Sequence, residues 1–243
     1  MRTIRIYQPG TYQPGEIVSL SESAAQHVGL VLRMPVGAEL VLFRGDNCEF
    51  SATISLIHKK TIQVHIDSVQ TVNRQSPRAI HLAQAIAKGD KMEWIIQKAV
   101  ELGVTSITPL TTERCVVRLD ETRLQKKQLQ WQAIAVSACE QSGRTDVPVI
   151  YPACSLEHYL TTTPAQYRFV LSPMATQSWP TLSHDSSELT LLIGPEGGFS
   201  EHEIQLAVEH QAHPVRLGPR ILRTETAAIV ALGMMQMLYG DLS

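Results

Sequence analysis

The sequence predicts two domains of different class: a small N-terminal β-barrel, then a larger α/β domain built on a largely parallel sheet. Three observations predict it. The chain has 243 residues, more than the roughly 100–200 of a single domain. Its apolar rhythm changes part-way along, from short alternating runs to buried runs separated by helical patterns. The change falls at residues 73–77, NRQSP, a polar stretch that ends in proline and has no periodicity. The expected domains are therefore 1–72 and 73–243.

In the first domain, alternating runs at 4–7, 16–20, 39–44, 50–57 and 61–69 read as strands. Pro9-Gly10, Pro14-Gly15, Gly45-Asp46-Asn47 and Lys59-Lys60 supply the turns between them. One helix is expected at 24–32, with Ser21 and Ser23 as candidate N-caps and Pro35 as the stop. In the second domain a strand at 79–87 leads to a helix at 91–102, where Trp94, Ile95, Lys98 and Leu102 recur about once per turn and Gly103 ends it. Further strands are expected at 106–110, 147–151, 167–172, 189–193 and 214–217. Helices are expected at 122–141, 155–160, 200–209 and 224–239. Strands alternating with helices imply a parallel sheet covered on both faces. Residues 227–238, rich in Ala, Leu and Met, read as a helix buried all round, in the core or at a subunit interface.

Composition narrows the function. At 44% hydrophobic and 18% charged, the chain is neither disordered nor collagenous. Four Phe, three Trp and six Tyr are few for a protein that grips single-stranded RNA by base stacking. Cys48, Cys115, Cys139 and Cys154 are far apart with no CxxC, so they predict neither a metal site nor a disulfide framework. His210 and His213 lack a third ligand, and no HExxH occurs; no metal is expected. Without an apolar leader core or an apolar run of membrane length, a cytoplasmic location with no membrane association is expected. The net charge of −2 conceals a neutral first domain, ten Lys+Arg against six Asp+Glu over 73–127, and five against eleven over 128–243. Solvated helix faces account for this as readily as a phosphate-binding stretch.

Two loops look chemical. After the strand at 189–193 come Gly194-Pro195-Glu196-Gly197-Gly198-Phe199-Ser200 and then a helix. Three glycines at the carboxyl end of a buried strand let backbone N–H groups approach a ligand. Neither the P-loop nor the GxGxxG spacing is present. A plainer reading, a capped strand–helix turn with Ser200 and Glu203 as a capping box, explains those two residues but not the glycines. A second such loop follows Leu217: Gly218-Pro219-Arg220-Ile221-Leu222-Arg223, then a helix opening Thr224-Glu225-Thr226-Ala227. Together the loops read as two walls of one pocket, apolar enough at Leu217, Ile221 and Leu222 for a flat heterocycle. Thr224 also reads as a helix N-cap. Arg220 and Arg223 oppose the helix dipole there, so an anionic or electron-rich ligand is the sharper reading.

Six segments in order carry a resemblance: QAIAKGDKME at 84–93, QKAVELGV at 97–104, TER at 112–114, EQSGR at 140–144, IGPEGGFS at 193–200 and LGPRILRTETA at 217–227. They resemble the RsmE family of ribosomal RNA uracil-N3 methyltransferases, part of the SPOUT superfamily. The resemblance implies a PUA-like RNA-binding barrel over 1–72 and, over 73–243, a SPOUT domain whose C-terminal part is tied in a trefoil knot, an exception to unknotted connections. It implies S-adenosylmethionine as cofactor, a homodimer, and methylation of N3 of a uridine in 16S RNA of the small ribosomal subunit.

On that resemblance, cofactor contacts fall on Leu171, Ser172 and Met174; on Ile193, Gly194, Pro195 and Gly197; and on Leu217, Gly218, Ile221, Leu222, Thr226 and Ala227. Methyl transfer is an in-line displacement in which the protein supplies positioning and electrostatics. The N3–H must be lost, so Glu196 or Glu225 is the expected proton acceptor, and Arg223, with Arg144 second, the cation for charge developing on the base. Arg5, Lys88, Lys91, Arg114, Arg144 and Arg220 are the expected RNA contacts. Two alternatives stay open: another SPOUT reaction such as ribose 2′-O methylation of tRNA, and a non-catalytic RNA-binding ribosome-assembly factor.

Overall fold

The computed structural model describes residues 3–117, 119–164, 167–176, 179 and 188–242. They form two compact units, Met1–Gln75 with Cys139–Val147, and Ser76–Ala138 with Pro148–Ser243.

The first unit is a five-stranded sheet in the order β1-β3-β4-β5-β2, where β1 is Arg5–Tyr7, β2 Ile17–Ser19, β3 Glu39–Phe43, β4 Cys48–His58 and β5 Thr61–Thr71. Only β1 and β3 pair in parallel. The long β4–β5 ladder shifts register after Ser51 and again after Ile54, and such bulges increase local twist so that a sheet curls over its core. That core alternates along the strands: Ile6, Leu40, Leu42, Phe50, Ala52, Ile54, Val64 and Ile66 are all buried. The expected single helix at 24–32 is instead two pieces. A short α1 (Glu22–Gln26), capped by the Ser21 hydroxyl, passes into a π-turn at His27–Val31. The wider turn buries Val28 but leaves Leu30 and Val31 exposed, and the chain leaves through Arg33 at φ 52°, a left-handed conformation uncommon outside glycine.

The segment 139–147 completes this unit. Glu140 accepts the Tyr7 N–H at 3.0 Å, Arg5 donates to the Arg144 carbonyl at 2.8 Å, and the Thr145 hydroxyl donates to the Val72 carbonyl at 2.6 Å. Burial pushes the Cys139 thiol up to about 12, which makes it an inert core residue.

The second unit holds a wholly parallel sheet in the order β12-β10-β11-β6-β7-β8, with β9 also paired to β7. Its strands are β6 (Ala79–Ala85), β7 (Ser106–Thr111), β8 (Val149–Ile150), β9 (Cys154–Ser155), β10 (Tyr167–Leu171), β11 (Glu188–Ile193) and β12 (Ala212–Val215). Its helices are α2 (Lys91–Glu101), α3 (Glu121–Ser142, whose last turn belongs to the first unit), α4 (Leu156–Thr162), α5 (Glu201–Glu209) and α6 (Thr224–Tyr239). Every residue from 189 to 193 is buried, so both faces of β11 are covered, as parallel sheets require. Helices α4 and α5 share a core with Ala83, Leu110, Val170 and Leu192, and α6 packs on β11 and α2.

Met92, Ile95, Ile96, Ala99 and Val100 make the inner face of α2, and Trp94 is 44% exposed. Within the single chain, α6 leaves Val230, Met237 and Leu238 exposed. Gly103 does end α2, at φ +80°, and a Cβ there would lie 2.6 Å from the Gln236 amide, which donates at 2.7 Å to the Leu102 carbonyl and so ties α6 to α2.

Candidate cofactor site

Strands β12, β10 and β11 are adjacent and parallel, so the turns at their carboxyl ends lie side by side, where open α/β sheets bind ligands. The three turns enclose a cavity of about 520 Å³ lined by residues 171–174, 193–198 and 215–222 with Thr224 and Ala227.

Each turn is fixed locally. After β10, the Ser172 N–H donates to the Val215 carbonyl at 3.0 Å and the Ser172 hydroxyl accepts from the Met174 N–H at 3.3 Å. After β11 the chain folds tightly back, with the Gly198 N–H on the Pro195 carbonyl at 2.8 Å. A Cβ on Gly194 would sit 2.7 Å from the Phe199 nitrogen, so only glycine closes this turn. The predicted capping box at Ser200 and Glu203 is formed and starts α5. The other Glu203 carboxylate oxygen accepts the Glu113 N–H at 2.9 Å. After β12, Gly218 takes φ +72°.

The predicted residues divide. Leu171, Ser172, Met174, Ile193, Gly194, Pro195, Gly197, Leu217, Gly218, Ile221, Leu222 and Ala227 all line the cavity, as do Glu196 and Arg220; Thr226 does not. Met174 and Ile221 are 87% and 86% exposed at its rim. Arg223 is exposed and occupies the N-cap position of α6 with no side-chain capping bond. The cap expected at Thr224 is therefore corrected: Thr224 is the first helical residue, and its hydroxyl donates to the Gly194 carbonyl at 2.7 Å.

The cations are mostly held by the protein itself. Lys91 Nζ lies 3.4 Å from Glu196 and 3.7 Å from Glu225. Glu196 also accepts the Lys88 N–H at 3.0 Å. Burial raises the Glu196 carboxyl, but the Lys88 and Glu196 N–H groups and the Lys91 ammonium outweigh it and hold the group below its ordinary range. Arg114 donates to the carbonyls of Gly197 and Phe199 at 3.0 and 3.3 Å. In the first unit Arg5 and Arg74 pair with the buried Glu49, and buried Arg144 pairs with Asp146. Sequence reading missed Val215 and Arg216, which line the cavity, and the wholly buried Gln84, which donates to Thr224. Val215 and Arg216 directly precede predicted positions, whereas the Gln84–Thr224 contact spans 140 residues and leaves no local trace. Among the described residues no His, Cys, Asp and Glu cluster suited to a metal occurs, and no helix is long and apolar enough to cross a membrane.

An apolar, glycine-walled cavity of this size suits a cofactor with a flat apolar body and polar ends. Comparison with known proteins gives the same direction. Residues 74–236 match the family model of the RNA methyltransferase domain, and residues 20–67 that of the RNA methyltransferase PUA domain. Ribosomal RNA small subunit methyltransferase E of Buchnera aphidicola subsp. Schizaphis graminum is 40% identical over 100% of this chain and 99% of its own length. The Bacillus subtilis protein of that name is 32% identical over 92% of each chain. A Legionella pneumophila structure in complex with bound S-adenosylmethionine superposes with a TM-score of 0.96 at 50% identity, covering 100% of both chains. Ribosomal RNA small subunit methyltransferase E from Neisseria gonorrhoeae, bound to S-adenosylmethionine, gives 0.92 at 36% identity, again over 100% of both. Similarity over the whole chain, in sequence and in fold, makes this protein a member of the RNA methyltransferase family that includes ribosomal RNA small subunit methyltransferase E.

Proposed function

We propose that the protein transfers the methyl group of S-adenosylmethionine to N3 of a uracil in 16S ribosomal RNA of the small subunit. The observation that carries this reading is the cavity formed by three adjacent strand-end turns, in a chain whose relatives include S-adenosylmethionine-bound ribosomal RNA small subunit methyltransferase E. Bound there, the cofactor supplies an electrophilic methyl group on a sulfonium; the chain positions it and handles the proton of the base.

Backbone groups of the Gly194 and Gly218 turns read the cofactor, and Leu217, Leu222 and Ala227 cover its apolar body. Of the two candidate proton acceptors, Glu196 is held ionised by several donors, which weakens it as a base. Glu225 lies 3.7 Å from Lys91, and its buried Oε2 has no hydrogen-bond partner among the described residues, so we assign it the proton. Arg223, exposed at the head of α6, stabilises the charge that develops on the uracil oxygens.

We read residues 1–72 as a PUA-like RNA-binding barrel and 73–243 as a SPOUT domain with a knotted C-terminal part. The knot is supported by the path of the chain, which leaves β11, runs to β12 beyond β10, and returns to α6 against β11. The exposed Val230, Met237 and Leu238 of α6 suit a homodimer interface. A 16S RNA substrate implies a cytoplasmic location. The test is mass spectrometry of 16S RNA nucleosides from a strain lacking the gene: 3-methyluridine should disappear and return on complementation. Its retention in the deletion strain would overturn the assignment.

A further inference from the structure

We infer that Thr224, oriented by Gln84, is a positioning residue of the methyl-transfer site. Its hydroxyl holds the Gly194 carbonyl and so sets the separation of two of the three turns that line the cavity. The inference rests on the function proposed above.

The strand register pairs Gln84 with Ile193, the last residue of β11, which puts its side chain beside the start of the Gly194 turn. Gln84 is 0% exposed. Its Nε2 donates to the Ala85 carbonyl at 2.9 Å and to the Thr224 hydroxyl at 3.0 Å. A carbonyl only accepts, so the Ala85 bond fixes which end of the amide faces Thr224. The Thr224 oxygen therefore accepts from Gln84, and its single proton goes to the Gly194 carbonyl at 2.7 Å. The relay runs one way, from β6 through the head of α6 to the Gly194 turn.

Stability alone does not account for this arrangement. The Gln84 Oε1 is buried with no hydrogen-bond partner among the described residues, an unmet acceptor that an apolar side chain of the same shape would remove. Thr224 stands at the start of a helix, yet its hydroxyl caps nothing and the N-cap falls to Arg223 without a side-chain bond. Local preferences are set aside at both residues, which is the pattern of a site under functional constraint. Thr224 also lines the cavity, so a shift of its contact with Gly194 changes the cavity itself.

The test uses the full chain. S-adenosylmethionine binding is measured by calorimetry, turnover on 16S RNA at saturating cofactor, and Tm by thermal unfolding. Thr224→Val keeps the shape and removes the proton; cofactor Kd should rise about tenfold and turnover should fall as well. Thr224→Ser should restore both to within about threefold of the parent. Gln84→Met removes the donor and the unpaired oxygen together; Kd should rise while Tm holds or increases, a split that a merely structural role would not give. If the valine variant does not fold, Gln84→Met decides. Equal Kd and turnover in parent and Thr224→Val, failure of the serine variant to rescue, or a Kd loss in Gln84→Met that follows a fall in Tm would each overturn the inference. Failure of the parent to bind S-adenosylmethionine would overturn the proposed function and this inference with it. A parent that binds, beside a valine variant that binds equally well, would overturn this inference alone.

Discussion

The EQSGR segment at 140–144 and the IGPEGGFS turn at 193–200 are both conspicuous in the sequence, yet the fold uses them in opposite ways. EQSGR is architecture: its backbone and carboxylate bond to the first unit's strands, and its arginine is buried against Asp146. The glycine turn keeps its polar groups at the edge of a cavity and is braced from outside by Arg114, Lys88 and Lys91. A charged motif and a glycine motif of equal prominence therefore do not predict equal contact with a ligand. What separates them is where the polar groups end: Arg144 is buried within the fold, whereas the glycine turn lines the cavity.

The largest effect should come from Gly194→Ala. Its methyl group would meet the Phe199 nitrogen at 2.7 Å, forcing the turn open and weakening S-adenosylmethionine binding by about 100-fold or more. Calorimetry near the parent affinity would contradict the tight-turn account. The counterpart in the first unit is Glu49→Gln, which leaves two arginines without their buried carboxylate. It should lower stability by about 2 kcal/mol in denaturant titration, with cofactor affinity unchanged. Glu49 also carries a pH signature. Burial raises its carboxyl, but Arg74 and Arg5 outweigh this and set its pKa below the ordinary 4.5. A depressed folded pKa contributes stability that is present above the unfolded pKa and lost as pH falls through the folded one, so the parent's advantage over Glu49→Gln should shrink in acid below 4.5.

A sharper comparison comes from Arg114, whose place in the sequence suggests a phosphate contact and whose side chain holds two carbonyls of the cofactor turn. Arg114→Ala should weaken cofactor binding about fivefold and leave the salt dependence of RNA binding unchanged. A salt slope reduced by about one would instead make it a phosphate contact.

The smallest effect belongs to Glu140, whose carboxyl is raised by burial against the lowering influence of the Tyr7 N–H, His27 and Arg5. Because the folded pKa lies above the unfolded one, ionisation is penalised. The penalty is absent below the unfolded value and grows as pH rises through the folded one. Glu140→Gln should therefore gain in unfolding free energy relative to the parent as pH rises from 4.5 to neutrality, by less than about 1 kcal/mol. A relative loss over that range would show the His27 pairing at 3.4 Å to be the stronger influence.

Element order was legible because the two periodicities differ: alternating strands around a one-sided core, then uniformly buried strands such as β11 between amphipathic helices. The glycine turns were legible because an L side chain cannot replace them at Gly194. The π-turn at His27–Val31 was hidden, since α and π windings share local preferences and tertiary packing around Val28 selects one. Partners distant in sequence were hidden as well: Glu49 for Arg5 and Arg74, and Gln84 for Thr224. Asp146, two residues from Arg144, was a counter-ion that a local reading had within reach.

The most direct test of the central claim is reconstitution. Small subunits from a strain lacking the gene, incubated with the purified protein and S-adenosylmethionine, should gain 3-methyluridine in 16S RNA, located by mass spectrometry of RNA fragments. Absence of any transferred methyl group, or its appearance on a ribose oxygen, would contradict the account.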